Sequence, residues 1–251
     1  MGAVAARGAG LDLVLVDAGI DGGLIPGWMD CRPAHPRGTL SHDDALHPED
    51  AQNLLRNGQI LGAKLARTGL VALGELGIGN TTVAATLAAA LTGAPVRELV
   101  GRGAGSDSAG VARKRDVVTK ALARTGYGAP VTVLDRPGLI RLLTALGGGE
   151  VCVLVGVVLG AALAGAPVIL DGLLTSVAAL AAVRLDPRVR AALVAGQRSA
   201  EQGHSLVLRE LGVEPLLDLR LRAGEGIGAA LAASVLISGQ QLLRDTGRTT
   251  I

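Results

Sequence analysis

No phenylalanine occurs in this chain of 251 residues, and tryptophan and tyrosine occur once each. That excludes the stacked aromatic platforms on which single-stranded nucleic acid is held. Hydrophobic residues still make up 49% of the chain, so the core has to be assembled from Ala, Val, Leu and Ile. A surplus of one charge is missing too. The formal net charge is +2, with acids and bases interspersed, which is no footprint for nucleic acid. Cys31 and Cys152 are too few for a disulfide framework, and the second lies in an apolar run, so a reduced, cytoplasmic interior is expected. Residues 1–10 carry Arg7 alone as a charge and no apolar stretch of useful length, so no signal peptide is read there.

Long hydrophobic runs are scarce as well. Val151 to Leu170 is uncharged and long enough on paper to span a bilayer. Gly165 and Pro167 divide it into a helix, Val151 to Ala164, and a strand, Pro167 to Leu170, which Asp171-Gly172 ends as a buried parallel strand ends. Helix plus buried strand, with no membrane partner, is the expectation.

What the chain has in quantity is glycine, 37 residues of it. The most informative cluster is Gly74-Glu75-Leu76-Gly77-Ile78-Gly79-Asn80-Thr81-Thr82. Val71 to Leu73 read as the end of a buried strand and Val83 to Leu91 as a helix. Glycines at such a junction let the backbone turn tightly and approach a ligand closely. Asn80, Thr81 or Thr82 can cap the helix, whose free N–H groups attract an anion such as phosphate. No lysine follows Gly79, so this is not a P-loop, and Thr82 stands where a dinucleotide fingerprint ends in Gly or Ala. A glycine turn of this kind also serves plain helix–strand packing.

The same alternation runs along the chain. Leu11 to Asp17 suits a strand, and residues 22–48 are irregular, with three of the four histidines. Pro48 and Glu49 open a helix to about Thr68. Arg97 to Val100 reads as a short strand before Gly101-Arg102-Gly103-Ala104-Gly105, and Asp107 caps a helix from Ser108 to Arg124. A helix ends near Gly147-Gly148-Gly149. After the Val151 helix and the Pro167 strand come a helix from Leu173 to Val183 and a strand, Ala191 to Ala195. Leu206 to Leu211 and Gly228 to Arg244 are the last helices. Strand and helix in alternation predict an α/β fold, an open parallel sheet wrapped by helices, with ligands beyond the carboxyl ends of the strands. A single domain over residues 1–251 is expected, the helices of about 205–251 contributing to a small helical subdomain.

Several side chains invite chemistry. Glu225 lies in Arg222-Ala223-Gly224-Glu225-Gly226-Ile227-Gly228, where glycines remove cover and could leave its carboxylate facing a dry cleft. There its pKa would rise and it could act as a general base. An acid favourable to the following helix dipole is the plainer alternative. Lys114, beside Arg113 and Arg115, could reach an anion at the neighbouring glycine turn or lie on a solvated basic face. Arg198, Ser199, Glu201 and His204 suggest a hydrolase, but no nucleophile elbow surrounds Ser199. His35, His42 and His47 with Cys31, Asp43 and Asp44 match no standard zinc spacing, and a polar surface loop explains them more cheaply.

Taken together, GELGIGNTT at 74–82, GRGAGSD at 101–107, GGGE at 147–150, PVILDG at 167–172, QRSAEQGH at 197–204 and EPLLDLRLRAGEGIGAAL at 214–231 resemble the nicotinate-nucleotide:dimethylbenzimidazole phosphoribosyltransferase family of cobamide lower-ligand activation. The resemblance covers the chain from about Leu11 onward. It implies a Rossmann-like sheet with a reduced small helical domain, a homodimer, and transfer of phosphoribose from nicotinate mononucleotide to a benzimidazole-type base, with release of nicotinate and no cofactor. It also implies that Glu225 is the catalytic glutamate and Glu75 a second active-site acid. Substrate contacts fall on Leu76, Gly77, Gly79, Asn80, Thr81, Gly101, Arg102, Gly103, Lys114, Asp171, Gly172, Ser199 and Gly224. Leu76 stands where the family usually has Met, Gln197 where it has His, and Gly149 where an aromatic residue is common. The family's further N-terminal segment, which carries part of the benzimidazole pocket, is expected to lie outside this chain. A nucleotide-binding homologue, or one subunit completed by a separate polypeptide, is the alternative.

Overall fold

The computed structural model describes residues 1–246 apart from Ala104 and Arg222, so those two members of the quoted glycine blocks lie outside the described residues. Four parallel strands form the main sheet in the order β3 (Val71–Ala72), β4 (Val168–Leu170), β5 (Leu193–Gln197) and β6 (Pro215–Leu217). Val71 faces Val168, Leu170 faces Ala195 and Gln197 faces Leu217 across the ladder. Two further strands, β1 (Val16–Asp17) and β2 (Met29–Asp30), pair in parallel on their own.

Helices cover both faces. One side carries α2 (Pro48–Leu65), α3 (Asn80–Thr92), α7 (Gly149–Leu163) and α8 (Leu173–Leu185), which with β4 enclose the large apolar core. On the other, α10 (Ile227–Asp245) lays Ala229, Ala232 and Ala233 against Ile169 of β4, and α1 (Gly2–Gly8) packs on α10. The helices α7 and α8 are buried nearly all round, which is how a continuous apolar run sits inside a protein rather than on it. The bilayer-length run therefore resolves into α7 and β4, as expected from Gly165. Only α10, among the described residues, has the length and apolar composition to cross a membrane. Its first turns are tied into the fold by hydrogen bonds to Asp171.

A core without phenylalanine needs another way to fill space, and α2 and α7 show it. A β-carbon at Gly58 or Gly62 of α2 would stand 2.2 Å from the carbonyl oxygens of Val153 or Val157, and one at Gly156 or Gly160 of α7 would stand 2.3 or 2.1 Å from those of Leu55 or Gln59. Only glycine permits backbones this close.

The remaining helices are α4 (Val96–Leu99), α5 (Ser108–Thr125), α6 (Arg136–Leu146) and α9 (His204–Leu211). Asp107 caps α5 through the Gly110 amide, as expected. Residues 97–100, read as a strand, instead belong mostly to α4, which turns back on Pro95 to bury Leu99. So short an apolar run carries no period to separate the two. The expected strand at 191–195 begins later, because Asp186 and Pro187 start a 3-10 turn, Pro187–Ala192, ahead of β5. Strands β2 and β6 and helix α1 are additions to the elements expected from the sequence, β2 falling within the segment 22–48 read as irregular, and only the end of the segment 11–17 is strand.

Candidate active site

The carboxyl ends of β3 to β6 lie side by side, and after each strand the chain turns into a helix. From β3 the turn of residues 73–79 leads into α3. Capping there differs from expectation: the N-cap is Gly79, at φ +87°, and no side chain caps α3. Asn80 is already helical and buried, and its amide Nδ2 donates instead to Glu75 Oε2. Leu76 and Ile78 project from the turn into solvent.

Opposite this turn stands the connection from β6 to α10. The Glu225 amide donates to the Glu75 carbonyl at 3.0 Å. Glu225 adopts φ +65°; it and Arg220 are the non-glycine residues with positive φ among the described residues, and both lie in this connection. That conformation costs a residue with a β-carbon roughly 1–2 kcal/mol, and such strain gathers at functional loops. The neighbouring glycines make the contact possible. A β-carbon on Gly74 would stand 2.6 Å from the Gly226 nitrogen and 2.7 Å from the Glu225 carbonyl carbon, and one on Gly224 would stand 3.4 Å from the Glu75 carbonyl oxygen.

Asp171, at the end of β4, fixes the same connection from below. Its buried carboxylate accepts from the amides of Gly226 (3.1 Å), Gly228 (2.9 Å) and Ala229 (3.2 Å), and from Gln197 Nε2 (3.1 Å). The side chain is thus spent on the start of α10, an anion at a helix N-terminus. Gly172 and Ser199 are neighbours across β4 and β5: a β-carbon on Gly172 would lie 3.7 Å from that of Ser199. Lys114 of α5 reaches the first turn of α3. Lys114 Nζ donates to Thr81 Oγ1 at 3.3 Å and to the Arg102 carbonyl at 3.4 Å, and Gly103 leaves room for the ammonium. Gly101 lies against Gln202, and Gly77 against the Asn80 side chain.

The electrostatics divide the two glutamates. Burial raises Glu75 above the usual carboxylate range, the Asn80 bond offsets part of this, and the charges of Glu150, Asp171 and Glu201 push it further up. Glu225 goes the other way from the expected rise. Its Oε2 accepts from the Met1 α-amino group at 2.7 Å and from the Gly2 amide at 2.9 Å, and these bonds lower its pKa. Two carboxylates whose environments drive their pKa values apart are suited to different protonation roles.

Two neighbours stand outside the substrate and catalytic residues expected from the sequence, although His204 was weighed there beside Ser199 as part of a hydrolase. Glu150 is the one charge in α7, half-buried, and desolvation holds it above the usual range; an acid opening an otherwise apolar helix was the available signal. His204 is buried, its Nδ1 accepts from the Ser199 amide at 2.9 Å, and its Nε2 lies 3.0 Å from Ser176 Oγ. With Nδ1 accepting, the proton of the neutral ring is on Nε2 and is donated to Ser176. Burial, aided by the charge of Arg198, lowers the ring to about 4. The imidazole therefore anchors the Ser199 turn and is not paired with Ser199 as a hydrolase base would be.

A family model described as phosphoribosyltransferase matches residues 2–250. The nicotinate-nucleotide–dimethylbenzimidazole phosphoribosyltransferase of Bradyrhizobium diazoefficiens is 40% identical over 238 residues, covering 94% of this chain and 66% of that protein. The protein of the same name from Dechloromonas aromatica is 40% identical over 246 residues, covering 96% and 69%. A crystal structure of CobT from Thermus thermophilus superposes with a TM-score of 0.85 at 37% identity, over 96% of this chain and 71% of that one. The chain thus spans about two thirds of the length of the curated relatives it matches. On these matches and its glycine-built strand ends, the chain belongs to the nicotinate-nucleotide–dimethylbenzimidazole phosphoribosyltransferase family.

Proposed function

We propose that the chain transfers the phosphoribosyl group of nicotinate mononucleotide to dimethylbenzimidazole or a related base, releasing nicotinate, in assembly of the cobalamin nucleotide loop. The names of its relatives support the reaction. The observation that carries it to residues is the backbone bond between Glu225 and Glu75, which brings two oppositely perturbed carboxylates to one strand edge.

The chemistry asks little of an acid at the leaving group. The departing nitrogen is a pyridinium, so when the C1′–N bond breaks its electron pair returns to that nitrogen and leaves a neutral ring. The incoming base forms the new C1′–N bond with its imine lone pair, and the proton on its other ring nitrogen must go. Glu225, a carboxylate and so a proton acceptor near neutral pH, takes that proton and offsets the positive charge that develops on the attacking ring. Glu75, fixed by Asn80, shares the hydrogen bonding to the base. The turn at Leu76, Gly77 and Gly79, with Asn80 and Thr81, holds the phosphoribose together with Gly101, Arg102, Gly103 and Lys114. Gly172 and Ser199 add a ribose or phosphate contact, Gly224 leaves space beside Glu75, and Asp171 fixes the connection. Holding C1′ in line with the nucleophile is then the larger part of catalysis. The protein works in the cytoplasm as a homodimer, each protomer one α/β unit with the helices from about residue 205 as its smaller part.

Mass detection of phosphoribosylated dimethylbenzimidazole after incubation with both substrates tests the reading. Product that depends on both is expected; nucleotide binding with no product would contradict it.

A further inference from the structure

Apart from the strand-edge residues, the irregular segment before α2 folds back onto the first turn of that helix and brings three ligand-type side chains together. His35 and His47 stack with ring centroids 4.0 Å apart and an interplanar angle of 24°. Ligand atoms of His35, His47 and Glu49 all lie within 4.8 Å of one another, and all three residues are exposed. The set suggested by the sequence was different. Cys31 is buried, and His42, Asp43 and Asp44 are outside the cluster.

Beneath the pair sits a buried carboxylate. Asp50 accepts from the amides of Ala34 and His35 at 2.9 Å each, and its Oδ2 lies 3.1 Å from His35 Nδ1. A carboxylate is an acceptor, so in the neutral ring the proton is on Nδ1 and the lone pair is left on Nε2. This is the carboxylate–histidine arrangement that orients a metal-binding imidazole and raises its basicity. His47 Nδ1 accepts a 3.4 Å contact from the Glu49 amide, weak enough to yield to a metal bond.

We infer that His35, His47 and Glu49 form a binding site for a first-row divalent ion of the zinc, nickel or cobalt type. Two imidazoles and one carboxylate suit these ions, whereas magnesium and calcium ask for oxygen ligands throughout. Ligand atoms around a tetrahedral zinc stand about 3.3 Å apart, given bond lengths of about 2.0–2.1 Å. Exposed side chains need only small rotations from the present spacing to reach that. Water would complete the coordination, as in other sites with three protein ligands. The ion would fasten the segment carrying His35 to the start of α2. That segment also holds Arg37, whose guanidinium donates to the Gly19 carbonyl at 2.9 Å.

The test is a titration of full-length, tag-free protein with Co2+, read by its visible d–d absorption and by displacement with Zn2+. One saturable ion per chain is expected. His35→Ala and His47→Ala should each abolish it, and Asp50→Asn should weaken it roughly ten-fold or more, the usual effect of losing such an orienting partner. His42→Ala should leave binding unchanged. Circular dichroism of each variant shows that the fold is kept. If Asp50→Asn unfolds, the two histidine variants still decide, since both side chains are exposed. No saturable binding, or binding that survives His35→Ala and His47→Ala, overturns the site. Neither result bears on the transferase reading, because the cluster shares no residue with the strand edge.

Discussion

The amide of Glu225 donates to the carbonyl of Glu75 at 3.0 Å, so the turn after β3 and the connection before α10 are one structural piece. Whatever displaces one acid displaces the other. Gly74 is where they touch, and Gly74→Ala would place a methyl group 2.6–2.7 Å from the backbone of Glu225 and Gly226. Backbone at that distance cannot give way without moving the turn. Overpacking of this kind costs about 1–3 kcal/mol, so Gly74→Ala should lower the melting temperature and reduce transfer far more than it reduces nucleotide binding. Unchanged kcat in a melting and kinetic comparison would show that the contact is dispensable.

Asp171 is expected to matter through the backbone. Asp171→Ala leaves the Gly226, Gly228 and Ala229 amides and Gln197 without their acceptor. Losing a buried, charge-assisted acceptor costs about 3 kcal/mol, and urea unfolding should show a loss of that order. A loss below about 1 kcal/mol would mean that the carboxylate does not clamp the connection.

Glu150 supplies a pH signature. Burial raises its folded pKa above the ordinary 4.5, so the fold favours the protonated form. The stabilising contribution is complete below about 4.5 and is lost as pH rises through the folded value. Glu150→Gln removes that penalty. The variant should be more stable than the parent near neutrality, with the difference shrinking toward pH 4.5. His204 has the opposite sign: its pKa is depressed from 6.5 to about 4, so its contribution is present above 6.5 and lost as pH falls toward 4. Melting curves of parent and variant across this range separate the two, because only the difference reports Glu150. A variant less stable at pH 7 would refute the assignment.

Lys114 ties Thr81 to the Arg102 carbonyl. In the proposed site it faces phosphate, so Lys114→Met should raise KM for nicotinate mononucleotide roughly ten-fold, the worth of one charge-assisted hydrogen bond, with a smaller change in kcat. An unchanged KM would remove Lys114 from the phosphate site.

Junctions whose signals are local are legible in the sequence. Asp107 announces α5, Pro48 opens α2, and the glycines of 74–79 mark the β3–α3 turn, because capping and turning depend on residues a few positions apart. Asn80 is not the cap its residue type suggests, because its amide is drawn to Glu75, five residues earlier in the same turn, a preference that capping propensity does not contain. The role of Asp171 is out of reach for a different reason: its partners lie 26 to 58 residues away. The α2–α7 seam is hidden too. Gly58, Gly62, Gly156 and Gly160 weaken each helix by propensity, and only their meeting explains them. Glu225 stands out through the resemblance and its flanking glycines, but the direction of its pKa shift depends on Met1 and Gly2, at the other end of the chain.

The most direct measurement is nicotinate release from nicotinate mononucleotide, with and without dimethylbenzimidazole, by the parent chain and by Glu225→Gln. The account predicts release that depends on the base in the parent. In the variant it predicts a fall in rate of at least about 100-fold, the lower range for losing a general base, with nucleotide affinity retained. Base-dependent release at an undiminished rate in Glu225→Gln would contradict it.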